Sequence, residues 1–390
     1  MKVVHVLPKF SEVVWGGAES VVTSLVRCLE DIDSEVWACR LPGDDRDGTV
    51  GHARIRRFWA LWPGGRKNIG EGKAGVPPGM VASLVRLSGR DVIVHVHCHN
   101  RLAALMVAAC RVYGVPVLLT LHSRVLDLRP RLRYWLPNIF PIVAADAVVA
   151  VSEDVASQAR DVGGRRDVKI VPNGVDLNWL KRGRRERGRS LLRVEESVPV
   201  VAFIGRISPI KGVEVLLDAL RLFGERVQVT PHLAVVGPAA NEAYYVRLRR
   251  EAEGDPRLSR RVTFLGAVRH GSEELADLYA ASDLVVLPSL YEAFGVVVPE
   301  AWAAGRAVVV SNVGGASQLV RTGGPGWLWD PATGAAGLAA LMAEGIEAVR
   351  RDASISVRAA EAAEAFSAGM MAERYRELYR RLASVRRSAA

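Results

Sequence analysis

Several residue types and patterns are scarce in this sequence, and each scarcity excludes a class of protein. The four cysteines show no CxxC spacing, so we expect free thiols in a reducing cytosol. No apolar run approaches the ~20 residues of a membrane-spanning helix, and the N-terminal run is too short for a signal peptide. We therefore expect a cytoplasmic protein that is soluble or lies on a membrane surface.

Aliphatic residues and positive charge are plentiful instead. Aromatic residues make up 6% of a chain that is 49% hydrophobic, so much of the core must be Val, Leu and Ala. A length of 390 residues favours two domains. The formal net charge of +10 favours anionic partners such as nucleotides, phosphorylated sugars, nucleic acid or an acidic membrane. A merely soluble basic surface is the alternative, and composition leaves both open.

Short aliphatic runs alternate with amphipathic helical stretches along the chain. Runs of four or five nearly continuous apolar residues are typical of strands buried on both faces of a parallel sheet, and their alternation with helices predicts βαβ units. The predicted strands are Val3–Leu7, Val92–Val96, Val117–Leu121, Ala147–Val151, Val200–Ile204, His232–Val236, Val262–Leu265, Leu284–Leu287 and Ala307–Val310. Predicted helices include Ala18–Glu30, Val213–Leu222 and Met371–Leu382.

The alternation breaks near residue 180, at the basic segment KRGRRERGR (181–189). It has no apolar periodicity, so we interpret 181–196 as an exposed linker. It would join two doubly wound α/β domains, 1–180 and 197–365, and a helix in 366–390 would cross back to the first domain. Such sheets bind ligands at the carboxyl ends of their strands, which predicts a site in the cleft between the domains.

Two segments that follow strands have the composition of phosphate sites. WGGAES places Gly16 and Gly17 at a predicted helix start, where backbone N–H groups and the helix dipole attract anions. VVAFIGRISPIKG runs a buried strand into Arg206 and Lys211, and cations at a strand's carboxyl end suit phosphate. A tight turn and two solvated loop cations are the respective alternatives.

The segment PSLYEAFGVVVPEAWAAG carries Glu292 and Glu300 eight positions apart. Pro299 fits the first turn of a helix and Gly295 favours a loop before it, so we expect a helix start near Val296. Free N–H groups there would face a phosphate, and the carboxylates would accept sugar hydroxyls. This arrangement suits a nucleotide sugar better than a metal clamp or an acid–base pair.

Histidines cluster in VIVHVHCHN (92–100) and at the end of VLLTLH (117–122). His95, His97 and His99 point the same way along an extended chain, which would also suit zinc. No second ligand cluster supports a metal, so we interpret them as strand-end residues that line a cleft. His122 also lies at a carboxyl end and could donate a hydrogen bond near a reaction centre.

Together these motifs resemble the retaining glycosyltransferases of family 4 (glycosyl transferases group 1), which have the GT-B fold of two Rossmann-like α/β domains facing a cleft. The resemblance covers Val3 to about Leu382. Its motifs occur in the expected order: GGAE (16–19), LTLH (119–122), VSE (151–153), VPNGVD (171–176), IGRISPIKG (204–212), FLG (264–266), PSLYEAFGVVVPEAWAAG (288–305) and FSAGMMAERYRELY (366–379).

The resemblance implies a role for each matching residue. Arg206 and Lys211 would bind the diphosphate, Glu300 the ribose hydroxyls and Glu292 the donor sugar, with His122 near the donor sugar and the acceptor. The implied donor site comprises Gly16, Gly17, Arg206, Lys211, Gly266, Val268, Glu292, Ala293, Phe294, Gly295, Val296 and Glu300. The implied acceptor residues, on the first domain, are His97, His99, Asn100 and His122. The implied catalytic residues are His122, Glu292, Arg206 and Lys211.

The resemblance further implies a reaction that needs no metal or other cofactor and retains anomeric configuration by front-face attack. No dedicated nucleophile emerges from the residues, which agrees with catalysis by charge stabilisation and orientation. One departure is Gln318, which stands where the family commonly has Glu after VGG (313–315). We expect it to alter rate or donor choice without abolishing activity.

Two stretches of the first domain, 52–67 and 123–140, combine arginines with tryptophans. They suit an anionic bilayer surface, whereas loops covering an acceptor cleft are the alternative. Nucleic acid is not expected, because no nucleic-acid fold signature accompanies them.

The leading hypothesis is an enzyme that transfers a sugar from a nucleotide diphosphate sugar to a hydroxyl of a saccharide or lipid-linked acceptor. A UDP-sugar is favoured as the donor over GDP-mannose. The expected role is the synthesis of a cell-surface polysaccharide or glycoconjugate. The rivals are a nucleotide-sugar epimerase of similar fold and a non-catalytic nucleotide-sugar-binding subunit. Intact Arg206, Lys211 and Glu300 and the E-x7-E order favour transfer.

Overall fold

The computed structural model describes residues 1–10, 17–40, 46–61, 75–126, 132–223 and 230–389, without the side chains of 132–136 and 385–389. Its chain divides into two compact units. Unit 1 comprises Met1–Gly174 and Ala368–Ala390, and unit 2 comprises Val175–Ser367. Each is a mixed α/β unit built around a largely parallel sheet.

Unit 1 contains an eight-stranded sheet. Its strands are β1 (Lys2–Leu7), β2 (Asp33–Cys39), β3 (Gly48–Val50), β4 (Ala53–Phe58), β5 (Val92–Val96), β6 (Val117–Leu121), β7 (Ala147–Ala150) and β8 (Lys169–Ile170). Their order across the sheet is β3-β4-β2-β1-β5-β6-β7-β8. All neighbours are parallel except β3 and β4. The carboxyl ends of β1, β5 and β6 therefore lie side by side at one edge.

Unit 2 contains a six-stranded parallel sheet. Its strands are β9 (Val200–Ile204), β10 (His232–Val236), β11 (Val262–Gly266), β12 (Leu284–Leu287), β13 (Ala307–Ser311) and β14 (Gly326–Trp329), in the order β11-β10-β9-β12-β13-β14. Because β9 and β12 are neighbours, the loops that follow them, which carry the cations and the first glutamate of the predicted donor site, start next to each other.

Helices separate the strands in both units. Unit 1 has α1 (Gly17–Cys28), α2 (Pro78–Val85), α3 (Arg101–Val112), α4 (Leu132–Ala144), α5 (Glu153–Gly163) and α15 (Ala368–Ala389). Unit 2 has α6 (Leu177–Leu180), α7 (Arg185–Leu192), α8 (Val213–Arg221), α9 (Glu242–Gly254), α10 (Glu273–Ala281), α11 (Val297–Ala303), α12 (Gly314–Arg321), α13 (Gly334–Arg351) and α14 (Ser354–Glu364).

The prediction that 181–196 is an exposed linker is wrong for residues 185–192, which form a helix. Residues 185–192 form α7, which packs against α10 inside unit 2. The basic residues of this helix are neutralised, because Arg185 pairs with Asp283 at 2.9 Å and Arg187 with Asp277 at 3.2 Å. Arg189 is 3% exposed and donates to the carbonyl of Val198 at 2.6 Å. The basic run has no apolar periodicity and was therefore predicted to be solvent-exposed. Its acidic partners lie 90 to 98 residues further along the chain, so the local sequence could not reveal them.

The final helix, α15, belongs to unit 1 and packs against α1 and β5. It buries Tyr375 and Tyr379 almost completely. The four cysteines form no disulfide. One helical stretch of the described chain, Pro331–Arg351, has the length and composition to cross a membrane. It contributes Leu338, Met342 and Ile346 to the hydrophobic core of unit 2, which explains its apolar composition.

Candidate functional site

The loops after β9 and β12 bring Lys211 and Glu292 into contact. Lys211 ends a short 3-10 turn, Pro209–Lys211, and its Nζ forms an ion pair with Glu292 Oε2. Gly212 follows with φ +70°, and a Cβ there would overlap the carbonyl oxygen of Pro288. The glycine thus allows the two loops to approach, and the two predicted residues lie together at the carboxyl ends of neighbouring strands.

Arg206, the other predicted phosphate cation, directly follows the Gly205 turn after β9. It is exposed, and within the described ranges its guanidinium makes no hydrogen bond or ion pair. The next residue, Ile207, is buried and bridges to Ala239, so the backbone at this point is fixed while the cation remains available to a ligand.

The loop that carries Glu292 is held by its own glycine and by the start of α12. Gly295 has φ +86°, in the left-handed region that glycine tolerates best. The N–H of Gly315 donates to the Glu292 carbonyl at 2.7 Å. A Cβ on Gly315 would overlap the carbonyl oxygen of Ala293. The predicted residues Ala293 and Phe294 are buried.

Helix α11 begins at Val297 with Val296 as its N-cap, one residue from the predicted start, and no side chain caps it. Pro299 lies in its first turn, as expected. Glu300 is 2% exposed. Its Oε1 is 2.8 Å from His270 Nε2, and its Oε2 accepts a 2.6 Å hydrogen bond from the Tyr279 hydroxyl. Burial and the neighbouring carboxylate raise the pKa of Tyr279 well above its ordinary value, so this hydroxyl remains a donor.

His270 and Tyr279 were not among the predicted site residues. Trp179 lies edge-on to both rings, with centroid distances of 5.2 and 6.2 Å. The only sequence signal was a polar turn, RHGSEE (269–274), before a helix. The contacts of His270 and Tyr279 with Glu300 join residues 30 and 21 positions apart, and sequence spacing could not predict them.

The remaining predicted donor residues are placed as follows. Gly266, with φ +69°, ends β11, and its carbonyl accepts from the Gly237 N–H at 2.7 Å. Val268 is buried, so contact with a ligand here would come through backbone. Gly17 opens α1, and a Cβ there would meet open space. Gly16 lies outside the described residues.

In unit 1 three histidine rings form a file across the carboxyl ends of β1, β5 and β6. His5 Nδ1 is 3.1 Å from His97 Nε2, and His97 Nδ1 is 3.1 Å from His122 Nε2. His5 was not among the predicted site residues, although it lies in the predicted strand Val3–Leu7. His97, predicted to contact the acceptor, is 3% exposed, and each of its ring nitrogens lies 3.1 Å from a nitrogen of another histidine.

His95 belongs to a second buried network beneath α15. Its Nδ1 is 2.7 Å from the Tyr379 hydroxyl and its Nε2 is 2.7 Å from Thr120 Oγ1, which in turn lies 3.1 Å from the Tyr375 hydroxyl. By distance alone, His5, His95 and His97 could hold a metal ion. Both nitrogens of His95 and of His97 already have hydrogen-bond partners, however, so this geometry is that of a hydrogen-bonded network.

Burial dominates the electrostatics of these rings. It lowers the pKa of His5 to about 3 and that of His122 to about 4. It also lowers the pKa values of His95 and His97 well below their ordinary value. The rings are therefore neutral near pH 7, each with one N–H and one lone pair.

The other two predicted acceptor residues are engaged in local structure. His99 Nε2 is 3.1 Å from the Arg124 carbonyl. Asn100 caps α3, where its Oδ1 accepts from the N–H groups of Leu102 and Ala103 at 3.0 and 3.4 Å. The carbonyl half of Asn100 is thus used by the helix.

Part of the basic–aromatic stretch 52–67 is strand β4, Ala53–Phe58, so this part is not one of the cleft-covering loops that were the alternative to a membrane-binding surface. Arg57 is 8% exposed and donates to the carbonyls of Phe10 and Arg46. The Arg56 guanidinium lies 4.9 Å from the ring of Phe58. Trp59 is exposed. Residues 62–67, and 127–131 of the second stretch, lie outside the described residues.

Comparison with known proteins gives matches in both units. The family model for Glycosyltransferase Family 4 matches residues 15–179, and the model for glycosyl transferases group 1 matches residues 198–347. A D-inositol 3-phosphate glycosyltransferase from Nocardia farcinica is 37% identical over 48% of this chain and 42% of its own. The chain therefore spans less than half the length of that relative.

Two further similarities extend over the whole chain. An alpha-maltose-1-phosphate synthase from Mycobacterium tuberculosis is 29% identical over 98% of this chain and 100% of its own. The crystal structure of Anabaena HepE in complex with UDP and glucose superposes with a TM-score of 0.78 at 25% identity, over 97% of this chain and 99% of that one. The two-sheet architecture is thus the GT-B glycosyltransferase fold.

Proposed function

The chain belongs to the glycosyltransferases of family 4 within glycosyl transferases group 1, and we propose that it transfers a hexosyl group from a nucleotide diphosphate sugar to a hydroxyl. The proposed acceptor is a saccharide or lipid-linked saccharide in the synthesis of a cell-surface polysaccharide or glycoconjugate. The proposed reaction retains anomeric configuration and needs no metal.

The observation that carries the donor proposal is the contact between Lys211 and Glu292 at the ends of β9 and β12. An ammonium group beside a carboxylate offers one partner to a phosphate and one to a sugar hydroxyl. Arg206 adds an unpaired cation, and Glu300 offers a carboxylate held at a fixed angle. All four residues belong to unit 2, which we assign to the donor.

A UDP-sugar is favoured over GDP-mannose. The support is the similarity to HepE, whose structure contains UDP and glucose. The two relatives act, by their names, in reactions of inositol 3-phosphate and maltose-1-phosphate. A phosphorylated acceptor of that kind would suit the net charge of +10, and it is the acceptor class to test beside lipid-linked saccharides.

The proposed step forms a bond between the acceptor oxygen and the anomeric carbon while the bond from that carbon to the diphosphate breaks. The acceptor's proton passes to a phosphate oxygen of the leaving group. Arg206 and Lys211 stabilise the charge that develops on the diphosphate. Glu292 orients the sugar, and His122 donates a hydrogen bond to a sugar or acceptor oxygen.

The test is a thermal-shift screen of nucleotides and nucleotide sugars, followed by turnover of the donor that binds. A donor at 100 times its dissociation constant should stabilise the fold by about 2.7 kcal/mol. Lys211→Ala should abolish most of that shift and of the turnover, whereas Lys181→Ala, at an exposed ion pair with Glu364, should change neither. No shift with any nucleotide diphosphate, or an unaffected Lys211→Ala variant, would contradict the proposal.

Further measurements test the individual parts of the proposed function. NMR of the product's anomeric proton tests retention, and turnover in excess EDTA tests metal independence. Conversion of the nucleotide sugar without any acceptor would favour the epimerase rival. Binding to an anionic membrane stays a prediction that liposome flotation tests, and it can no longer draw on Arg57, which is buried.

A further inference from the structure

The file of His5, His97 and His122 has a free nitrogen at each end. His5 Nε2 and His122 Nδ1 are both buried, and neither has a hydrogen-bond partner within the described part of the chain. Both free nitrogens are buried atoms, but the residues differ in depth, because His5 is 0% exposed inside β1 whereas His122, which follows the end of β6, is half-buried as a residue.

Two hydrogen bonds between three neutral imidazoles restrict the positions of the protons. Each N···N contact of 3.1 Å needs one N–H and one lone pair, and each ring has one of each. Only two arrangements satisfy both contacts. Either all three rings carry hydrogen on Nδ1, or all three carry it on Nε2. The tautomer of His122 is therefore tied to that of His5, two rings away.

The burial of His5 decides between the two arrangements. With hydrogen on every Nε2, the unpaired N–H of His5 would lie in the interior with nothing to accept it. With hydrogen on every Nδ1, His5 leaves only a lone pair unpaired, and the free N–H appears on His122. Either arrangement leaves one buried N–H without a partner, which is costly. The N–H on His122 lies in a half-buried residue at the end of β6, so an oxygen that enters there can accept from it, whereas the enclosed His5 offers no such approach.

We propose that His97 and His5 are positioning residues that hold His122 in the Nδ1–H tautomer, so that His122 donates from Nδ1 to a substrate oxygen. Histidine in water favours the other tautomer, so the file reverses an ordinary preference. The catalytic consequence rests on the proposed function, whereas the tautomer is a property of unit 1 alone.

The first experiment reads the tautomer directly. Long-range ¹H–¹⁵N correlation spectra of the ¹⁵N-histidine-labelled protein should show His122 with a protonated Nδ1 and an unprotonated Nε2. In His97→Leu the hydrogen bond to Nε2 is lost, and His122 should revert to Nε2–H. His97→Asn keeps an N–H donor near the place of His97 Nδ1 and should restore Nδ1–H. As a control, His232→Gln should leave the His122 signals unchanged, since His232 lies in unit 2, where its Nε2 is 2.9 Å from Thr263 Oγ1.

The second experiment follows turnover of the donor identified by the thermal-shift screen. His97→Leu should lower kcat about tenfold, the worth of one hydrogen bond, with little change in KM for the donor, and His97→Asn should recover part of the loss. Thermal melts verify that each variant is folded. His122 with Nε2–H in the wild-type protein, or an Nδ1–H that persists in His97→Leu, overturns the proposal. Unchanged turnover in His122→Ala would contradict the catalytic role and leave the tautomer result standing.

Discussion

The Glu300 carboxylate is buried, and each of its two oxygens has a hydrogen-bond partner. His270 lies at one oxygen and the Tyr279 hydroxyl at the other, at 2.8 and 2.6 Å. Each carboxylate oxygen has a second lone pair, so the group can still accept two hydroxyls from a ribose. The two protein donors fix the carboxylate plane before the ligand arrives, which lowers the ordering cost of binding.

We expect Tyr279→Phe to weaken binding of the nucleotide diphosphate about tenfold and to destabilise unit 2 by about 1–3 kcal/mol, because it leaves a buried carboxylate oxygen without its donor. Isothermal titration with UDP and thermal melts measure the two effects. Tyr244→Phe is the matched control, since the Tyr244 hydroxyl is buried without a hydrogen-bond partner among the described residues and its removal should be nearly neutral. Equal affinities in the two variants would remove the role assigned to Tyr279.

Single residues differ in how far the sequence could predict their place. Lys211 and Glu292 each follow a recognisable strand, and parallel neighbours put strand ends together, so their meeting was predictable. Tyr279 and His270 approach Glu300 from elements 21 and 30 residues earlier in the chain. Their contacts with Glu300 are set by the tertiary structure, about which the local sequence pattern carries no information.

Most strands that are buried on both faces of a sheet were predictable, and β2 is the exception. All nine predicted strands are present with ends within one residue of those expected. The missed strands lie at or toward sheet edges: β2, β3, β4 and β8 in unit 1, and β14 in unit 2. Strand β4, one position from the edge, alternates apolar and polar residues in ARIRRF. Strand β2 is an inner strand that is buried over most of its length, but it begins with charge in DSEVWAC. Such short patterns also suit loops.

The first turn of α12 acts as a support for the Glu292 loop. Gly314 has φ +61°, and the Gly315 N–H donates to the Glu292 carbonyl at 2.7 Å. The family resemblance drew attention to Gln318, one turn further along this helix. In the structure Gly314 and Gly315 approach this loop through their backbone.

We expect Gly315→Ala to lower kcat/KM for the donor by about 100-fold or more and to destabilise the fold by about 1–3 kcal/mol, since a methyl group that overlaps the Ala293 carbonyl forces the loop to move. Donor turnover and thermal melts measure both. Gly254→Ala, at the end of α9 where a Cβ meets open space, should be neutral. A Gly315→Ala enzyme with unchanged turnover would show that the loop's position is not critical.

At the scale of the whole molecule, the two ends of the chain meet in unit 1. Helix α15 closes over β5 and β6 through a polar contact, because Tyr379 and Tyr375 bond to His95 and Thr120. Beside it, His5 of β1 continues into the His97 file. Four neutral imidazoles lie in this core, and burial lowers their pKa values. At low pH the unfolded chain binds protons at these histidines that the folded chain does not bind, so the folded state loses stability.

The stability of unit 1 should therefore fall as pH decreases below about 6.5, the pKa of an unfolded histidine. Burial lowers the pKa of His5 to about 3, so the unfolded state alone gains a proton at this residue between these values. At pH 5 this ring costs about 2 kcal/mol relative to pH 8, and the loss levels off only near pH 3. Unfolding monitored by tryptophan fluorescence from pH 8 to 5 measures the slope. His5→Leu should flatten it by about one proton, whereas His232→Gln should not alter the transition of unit 1. A slope that is identical in wild type and His5→Leu would mean that His5 is charged in the folded protein.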